Sequence, residues 1–106
     1  MFSQQKINIK KITQQIVEKF NPEIIYLFGS YAKNKNTPNS DLDMLIVDEK
    51  ADKEDLALQI SLALFPRNYH LDLLVYTPFD FNKKINGQTP FFNKIITEGK
   101  KLYERA

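Results

Sequence analysis

The feature that most narrows the choice of fold is the run Leu42 to Val47, which is largely apolar on both sides of an extended chain. Successive side chains in a strand point to opposite faces, so Leu42, Met44 and Ile46 share one face and Leu45 and Val47 the other. A strand apolar on both sides belongs in the middle of a sheet with helices packed on it.

The segments around this run supply such elements. Ile9, Ile12, Ile16, Val17 and Phe20 recur at spacings of three and four, which predicts an amphipathic helix from Ser3 to Phe20, stopped by Asn21 and Pro22. Ile24 to Phe28 reads as a short buried strand that Gly29 breaks. From Ser30 to Ser40 the chain is polar and rich in Asn, a loop that opens with a helical turn at Tyr31 and Ala32. After the central run, Leu56, Ile60, Ala63 and Leu64 predict a second helix from Lys53 to Phe65, capped by Asp52 and ended by Pro66. Tyr69 to Tyr76 reads as a third strand, closed by Pro78 before a polar connection. Pro90 to Glu98 predicts a short helix ended by Gly99, and Lys101 to Glu104 an edge strand.

The fold class is therefore α/β (α+β), a mixed sheet of three to four strands flanked by helices. The second and third strands, joined through a helix, can run parallel; the loop between the first and second permits either sense. A length of 106 residues is that of one domain, residues 1–106. With 15 Lys plus Arg against 13 Asp plus Glu, the net charge of +2 gives no argument for nucleic acid as a partner. There is no cysteine, so disulfides, thiolate metal sites and cysteine nucleophiles are excluded, and a metal must be held by oxygen or by the single histidine, His70. No apolar run is long enough to span a membrane and the N-terminal stretch lacks the apolar centre of a signal peptide, which points to a cytoplasmic protein.

The chemistry-bearing residues cluster at strand ends. Asp41 and Asp43 flank Leu42 and project from the same side. Two carboxylates a few ångströms apart repel unless a divalent cation neutralises them, and such hard oxygen ligands suit Mg²⁺ or Mn²⁺. Asp72 interrupts the third strand between Leu71 and Leu73, and the three acids converge if the second and third strands are neighbours. Gly29 and Ser30 follow the first strand, where backbone amides and a hydroxyl can cradle phosphate, and Lys33 and Lys35 follow in the loop. Taken singly these are ordinary features: a Gly-Ser pair is a common turn, an Asp at a strand start a common cap, and loop lysines are commonly solvated. His70, two residues from Asp72, reads as a surface group, the cluster of Phe91, Phe92 and Ile95 as core or partner interface rather than a base-stacking site, and Lys100 and Lys101 as solvent-facing.

The combination of Leu27-Phe28-Gly29-Ser30-Tyr31-Ala32-Lys33 with Ser40-Asp41-Leu42-Asp43-Met44-Leu45-Ile46-Val47 resembles the hallmark of the DNA polymerase beta type nucleotidyltransferase superfamily. The likeness is strongest to minimal nucleotidyltransferases, which are often paired with a helical HEPN protein in toxin–antitoxin modules. It extends through Asp72 to the ending Glu98-Gly99-Lys100-Lys101-Leu102-Tyr103. The resemblance implies a polymerase-beta-like fold. It implies nucleotide binding by Gly29, Ser30, Lys33 and Ser40, with two Mg²⁺ ions on Asp41, Asp43 and Asp72, the last also activating the acceptor hydroxyl. The reaction it implies is transfer of AMP from ATP to a hydroxyl of a partner protein, with a HEPN-type chain as partner and self-association as a further state. Two other readings stay open: an antitoxin that acts by direct binding, and a nucleotidyltransferase acting on a small molecule or nucleic acid. One departure stands out, because the family usually has Arg then Gly where this chain has Lys33 and Asn34.

Overall fold

A computed structural model of the chain describes residues 7–51 and 55–106. Its elements are α1 (Ile9–Phe20), β1 (Ile24–Phe28), β2 (Leu42–Val47), α2 (Leu56–Ala63), β3 (Leu71–Tyr76), α3 (Pro78–Asn86), α4 (Pro90–Glu98) and β4 (Lys100–Glu104). The strands form one mixed sheet in the order β3-β2-β1-β4, in which β1 is antiparallel to β2 and to β4 while β2 and β3 run parallel.

The double-sided character of β2 dictates the layering. Leu42, Met44 and Ile46 face one core with Ile25 and Leu27 of β1, covered by Ile12 and Ile16 of α1 and by Leu56 and Ile60 of α2. Leu45 and Val47 face a second core with Tyr26, covered by Phe81 of α3 and by Phe92 and Ile95 of α4. Five of the six β2 residues are buried, and the exception is Asp43. The sheet is thus the middle of three layers, and Asp43 lies on the α3/α4 side.

Several boundaries differ from the sequence reading. Helix α1 begins at Ile9, where the Asn8 side chain accepts a hydrogen bond from the Lys11 amide and caps it; the expected start at Ser3 lies outside the described residues. It ends at Asn21 in a left-handed conformation whose amide bonds back to the Val17 carbonyl. The expected cap Asp52 and helix start Lys53 lie outside the described residues; the described helix α2 runs from Leu56, with Asp55 before it, and closes at Ala63. Strand β3 starts at Leu71, after Tyr69 and His70. The largest difference is the stretch after Pro78, which is helix α3 rather than a polar connection. Pro78 occupies the first helical turn, where its missing N–H costs nothing, and the Thr77 hydroxyl accepts from the Asp80 amide at 3.1 Å. Phe81 anchors this helix in the second core.

On the outer side of α2, Leu58 and Leu62 remain 51% and 58% exposed, and Phe65, just beyond the end of the helix, is 57% exposed. No helix of the described residues is long and apolar enough to cross a membrane.

Gly99 joins α4 to β4 where backbone comes very close from two sides. A β-carbon there would collide with the Ile95 carbonyl oxygen and stand 2.7 Å from that of Leu27. Neither obstacle is a movable side chain, so Gly99→Ala is expected to destabilise the protein by roughly 1–3 kcal/mol, towards the upper end, as measured by urea unfolding.

Candidate active site

The C-terminal end of β1 and the N-terminal ends of β2 and β3 meet at one edge of the sheet. Phe28 is the register partner of Asp43, and Asp43 is the register partner of Asp72 across the parallel pair. Directly opposed strand residues share a face, so both carboxyls project on the α3/α4 side, just beyond the point where Leu45 and Leu74 fill the core. Asp41 precedes the strand by one residue on the same alternation, and it is exposed, as is Asp72, whereas Asp43 is half-buried. Because β2 and β3 are neighbours, Asp43 and Asp72 meet in register, and the charge of Asp41 is felt at Asp43.

Electrostatics marks Asp43 as the focus of this group. Its pKa is pushed up to about 6 from an ordinary value of 3.8, first by burial, then by the charge of Asp72, the charge of Asp41 and a hydrogen bond with the Asp72 carboxyl. Each cause is one that a bound divalent cation would oppose, and the donors are all hard oxygens, so the residues fit Mg²⁺ or Mn²⁺. Among the described residues, no three acid or histidine side chains are grouped closely enough to hold a metal ion as they stand.

Gly29 is shaped to this cluster. Its φ of +74° is left-handed, and a β-carbon on it would run into the Asp43 carboxylate oxygen Oδ2. The residue is therefore glycine for two reasons, backbone conformation and contact with the acid. After it the chain winds through a tight turn, with Ala32 N donating to Gly29 O at 3.1 Å, and Lys33 N and Lys35 N donating to Ser30 O at 3.2 and 2.9 Å. The expected helical turn at Tyr31 and Ala32 takes this form. Asn34 leaves the turn with φ +57°, a conformation that suits glycine and that Asn tolerates better than most residues.

Other expected residues are placed less centrally. The Lys33 ammonium lies 3.0 Å from Glu98 at the end of α4, and this lysine, with help from Lys94 and Lys35, holds the Glu98 carboxyl below its usual range. The Ser40 hydroxyl accepts from the Thr37 amide at 2.7 Å and so closes the loop before β2. His70 contributes its backbone, the carbonyl accepting from Leu42 N at 2.8 Å, which pins the start of β3 against β2. Of the aromatic cluster, Phe92 and Ile95 are core, at 5% and 2% exposure, while Phe91 stands 47% exposed. Two concavities, of about 490 and 290 Å³, lie by α1 on the opposite face, and none of Asp41, Asp43 and Asp72 lines them. The chemistry of the acid edge, not cavity size, marks the site.

The profile of the family described as "Polymerase beta, Nucleotidyltransferase" matches residues 10–106. The chain is a member of this nucleotidyltransferase family. Two Methanocaldococcus jannaschii relatives of this nucleotidyltransferase carry the provisional name protein adenylyltransferase. One is 33% identical over 97 residues, covering 90% of this chain and 94% of the relative. The other is 33% identical over 91 residues, covering 85% of each. Among solved structures, a nucleotidyltransferase-designated protein from Sulfolobus solfataricus superposes with a TM-score of 0.60 at 19% identity, over 92% of this chain and 78% of that one. A toxin–antitoxin solved with AMP-PNP gives 0.59 at 24% identity, over 93% and 75%. A variant of the MntA–HpeT toxin–antitoxin gives 0.58 at 23%, again over 93% and 75%. These structures share the mixed-sheet fold of this nucleotidyltransferase.

The raised pKa of Asp43 yields a stability prediction with a definite sign. The folded state holds this proton more tightly than the unfolded chain, so stability falls as pH rises from about 4 through about 6. In EDTA, Asp43→Asn is expected to match the parent in thermal melts below pH 4 and to melt higher than the parent at pH 8. A variant that melts lower at pH 8 would show that the carboxylate is stabilising there.

Proposed function

We propose that this chain transfers a nucleoside monophosphate, AMP from ATP, to a hydroxyl of a partner protein, as the nucleotidyltransferase half of a toxin–antitoxin pair. The observation that carries the reading is the in-register Asp43–Asp72 pair with Asp41 beside it, at the mouth of the Gly29–Ser30 turn. Hydrophobic burial does not reward such a cluster, and a polyanion with its divalent counter-ion does.

In this reading Gly29 lets phosphate approach the backbone and Ser30 donates its hydroxyl to it, while Lys33 exchanges Glu98 for a phosphate oxygen. Asp41, Asp43 and Asp72 would hold two Mg²⁺ ions, which when bound neutralise the triphosphate and the carboxylates together. The acceptor oxygen attacks the α-phosphorus in line. Its bond to phosphorus forms as the bond to the bridging oxygen breaks, and pyrophosphate leaves. Asp72, exposed at the edge of the sheet, takes the proton of the attacking hydroxyl, and Asp43 stays ionised beside it once its charge is compensated. The use of ATP and Mg²⁺ fits a cytoplasmic protein.

The protein acceptor draws support from two observations. The relatives at 33% identity are named for protein adenylylation, and structural neighbours are toxin–antitoxin assemblies. A helical HEPN-type chain is the partner we infer, and the exposed Leu58, Leu62 and Phe65 offer apolar surface of the kind that protein partners cover. That apolar face also favours the second reading, neutralisation by direct contact without transfer.

Transfer of labelled AMP to the co-purified partner, followed with Mg²⁺ and with EDTA, separates the two readings. The parent is expected to label the partner only with the metal, and Asp43→Asn to lose roughly a hundred- to a thousand-fold in rate, the order of effect seen when one group acting on the developing charge is removed. Full labelling by that variant would sink the assignment. Protection of cells by an Asp41→Asn/Asp43→Asn chain would establish neutralisation by contact. A companion measurement follows from the Asp43 pKa: Mg²⁺ affinity is expected to drop as pH falls below about 6, because the proton and the cation compete for that carboxyl.

A further inference from the structure

Helix α4 carries four large apolar residues in its first two turns, of which Phe92 and Ile95 are buried while Phe91 and Ile96 are 47% and 40% exposed. Phe92 and Ile95 point into the second core, but Phe91, rotated by roughly 100° around the helix from Phe92, stands 47% exposed. Its ring is nonetheless held in place. Phe28 meets it edge to face with centroids 5.8 Å apart and planes at 87°, and Phe92 meets it at 5.3 Å and 89°. Phe92 is in turn braced by Tyr76 at 5.3 Å and Phe81 at 6.3 Å, so the ring is anchored to the core while about half of the residue faces solvent.

Its position gives this exposure a meaning. Phe28 is the last residue of β1, immediately before Gly29, and the register partner of Asp43 on the same face of the sheet. Phe91 therefore stands one side chain away from the acid pair, on the side towards which the carboxyls project. A nucleotide with its phosphates at Gly29 and the acids must lay its base on a neighbouring surface. A pre-ordered, half-open aromatic ring is what a planar base gains most from, because the ring's ordering cost is already met by the core.

We propose that Phe91, braced by Phe28 and Phe92, is the stacking platform for the nucleobase, a subsite separate from the phosphate-holding acids. The inference rests on the nucleotidyltransferase reading above, and it assigns to Phe91 affinity for the base alone. Stacking acts on the π-face, which every base has, so this subsite supplies affinity without reading the base's hydrogen-bonding edge.

Calorimetric titration of the full chain with Mg²⁺-ATP and with Mg²⁺-tripolyphosphate, which has no base, tests it. For Phe91→Ala and Phe91→Leu, ATP affinity is expected to fall roughly ten-fold or more, while tripolyphosphate affinity stays at the parent value and so reports an intact fold. Phe91→Tyr, which keeps the ring, is expected to restore ATP binding. Loss of both ligands in the Leu variant would make Phe91 a structural residue, and unchanged ATP affinity with slower labelling of the partner would assign the ring to the acceptor; either result overturns the proposal. Failure of the underlying reading looks different, since the parent itself would then bind neither ligand.

Discussion

Strand β2 has no solvent-facing side, and the arrangement of the rest of the chain follows from covering it. Leu42, Met44 and Ile46 need one helical layer, supplied by α1 and α2; Leu45 and Val47 need another, supplied by α3 and α4. β1 and β3 must pair with its two edges, since unpaired backbone groups in a buried strand would cost more than the apolar contacts return. With β2 in the centre, its first residues emerge where β1 ends and β3 begins. Any polar residue at that point is surrounded by three strand termini, and Asp43 stands there.

Placing a carboxylate at this point works against the stability of the fold. Asp43 is half-buried, faces Asp72 in register and feels Asp41, and its raised pKa expresses that conflict. The neighbouring backbone accentuates it, because the absence of a side chain at Gly29 is what allows the Asp43 oxygen to sit where it does. In the function proposed above, a divalent cation with a polyphosphate would offset this cost, since cation and carboxylates would neutralise each other. The surrounding charges are arranged in keeping with this, with Lys33 held by Glu98 at the rim rather than against the acids.

Helices α3 and α4 do more than close the second core. The aromatic cluster of Tyr26, Tyr76, Phe81 and Phe92 locks both helices onto the sheet, and Phe91 and Phe28 continue that cluster outward to the acid edge. Packing and site are therefore continuous. A change in how α4 seats on β1 would move both Phe91 and the Gly99 junction, and through Glu98 the position of Lys33.

Much of this was legible in the residues themselves. Strands β1 and β2 and helix α4 have the bounds that periodicity and turn residues indicate, because each is marked by a sharp local change: Gly29 after Phe28, Asp41 before Leu42, Gly99 after Glu98. Asp41, Asp43, Asp72, Gly29 and Ser30 were recognisable because charge or glycine interrupts apolar strand patterns. Helix α3 was not, since Pro78 signals both a strand's end and a helix's first turn, and only the docking of Phe81 into the second core shows that the turn continues. Phe91 was read with Phe92 and Ile95 as one cluster, because adjacent aromatic residues look alike until a core takes one and leaves the other. The sequence by itself determined which segments are strands, that β2 is central and which residues are the candidates for chemistry, all consequences of local pattern. Only the tertiary structure decided that β2 pairs in parallel with β3 so that Asp43 meets Asp72, and that Lys33 turns to Glu98, because those contacts join residues far apart in the chain and depend on how the layers pack.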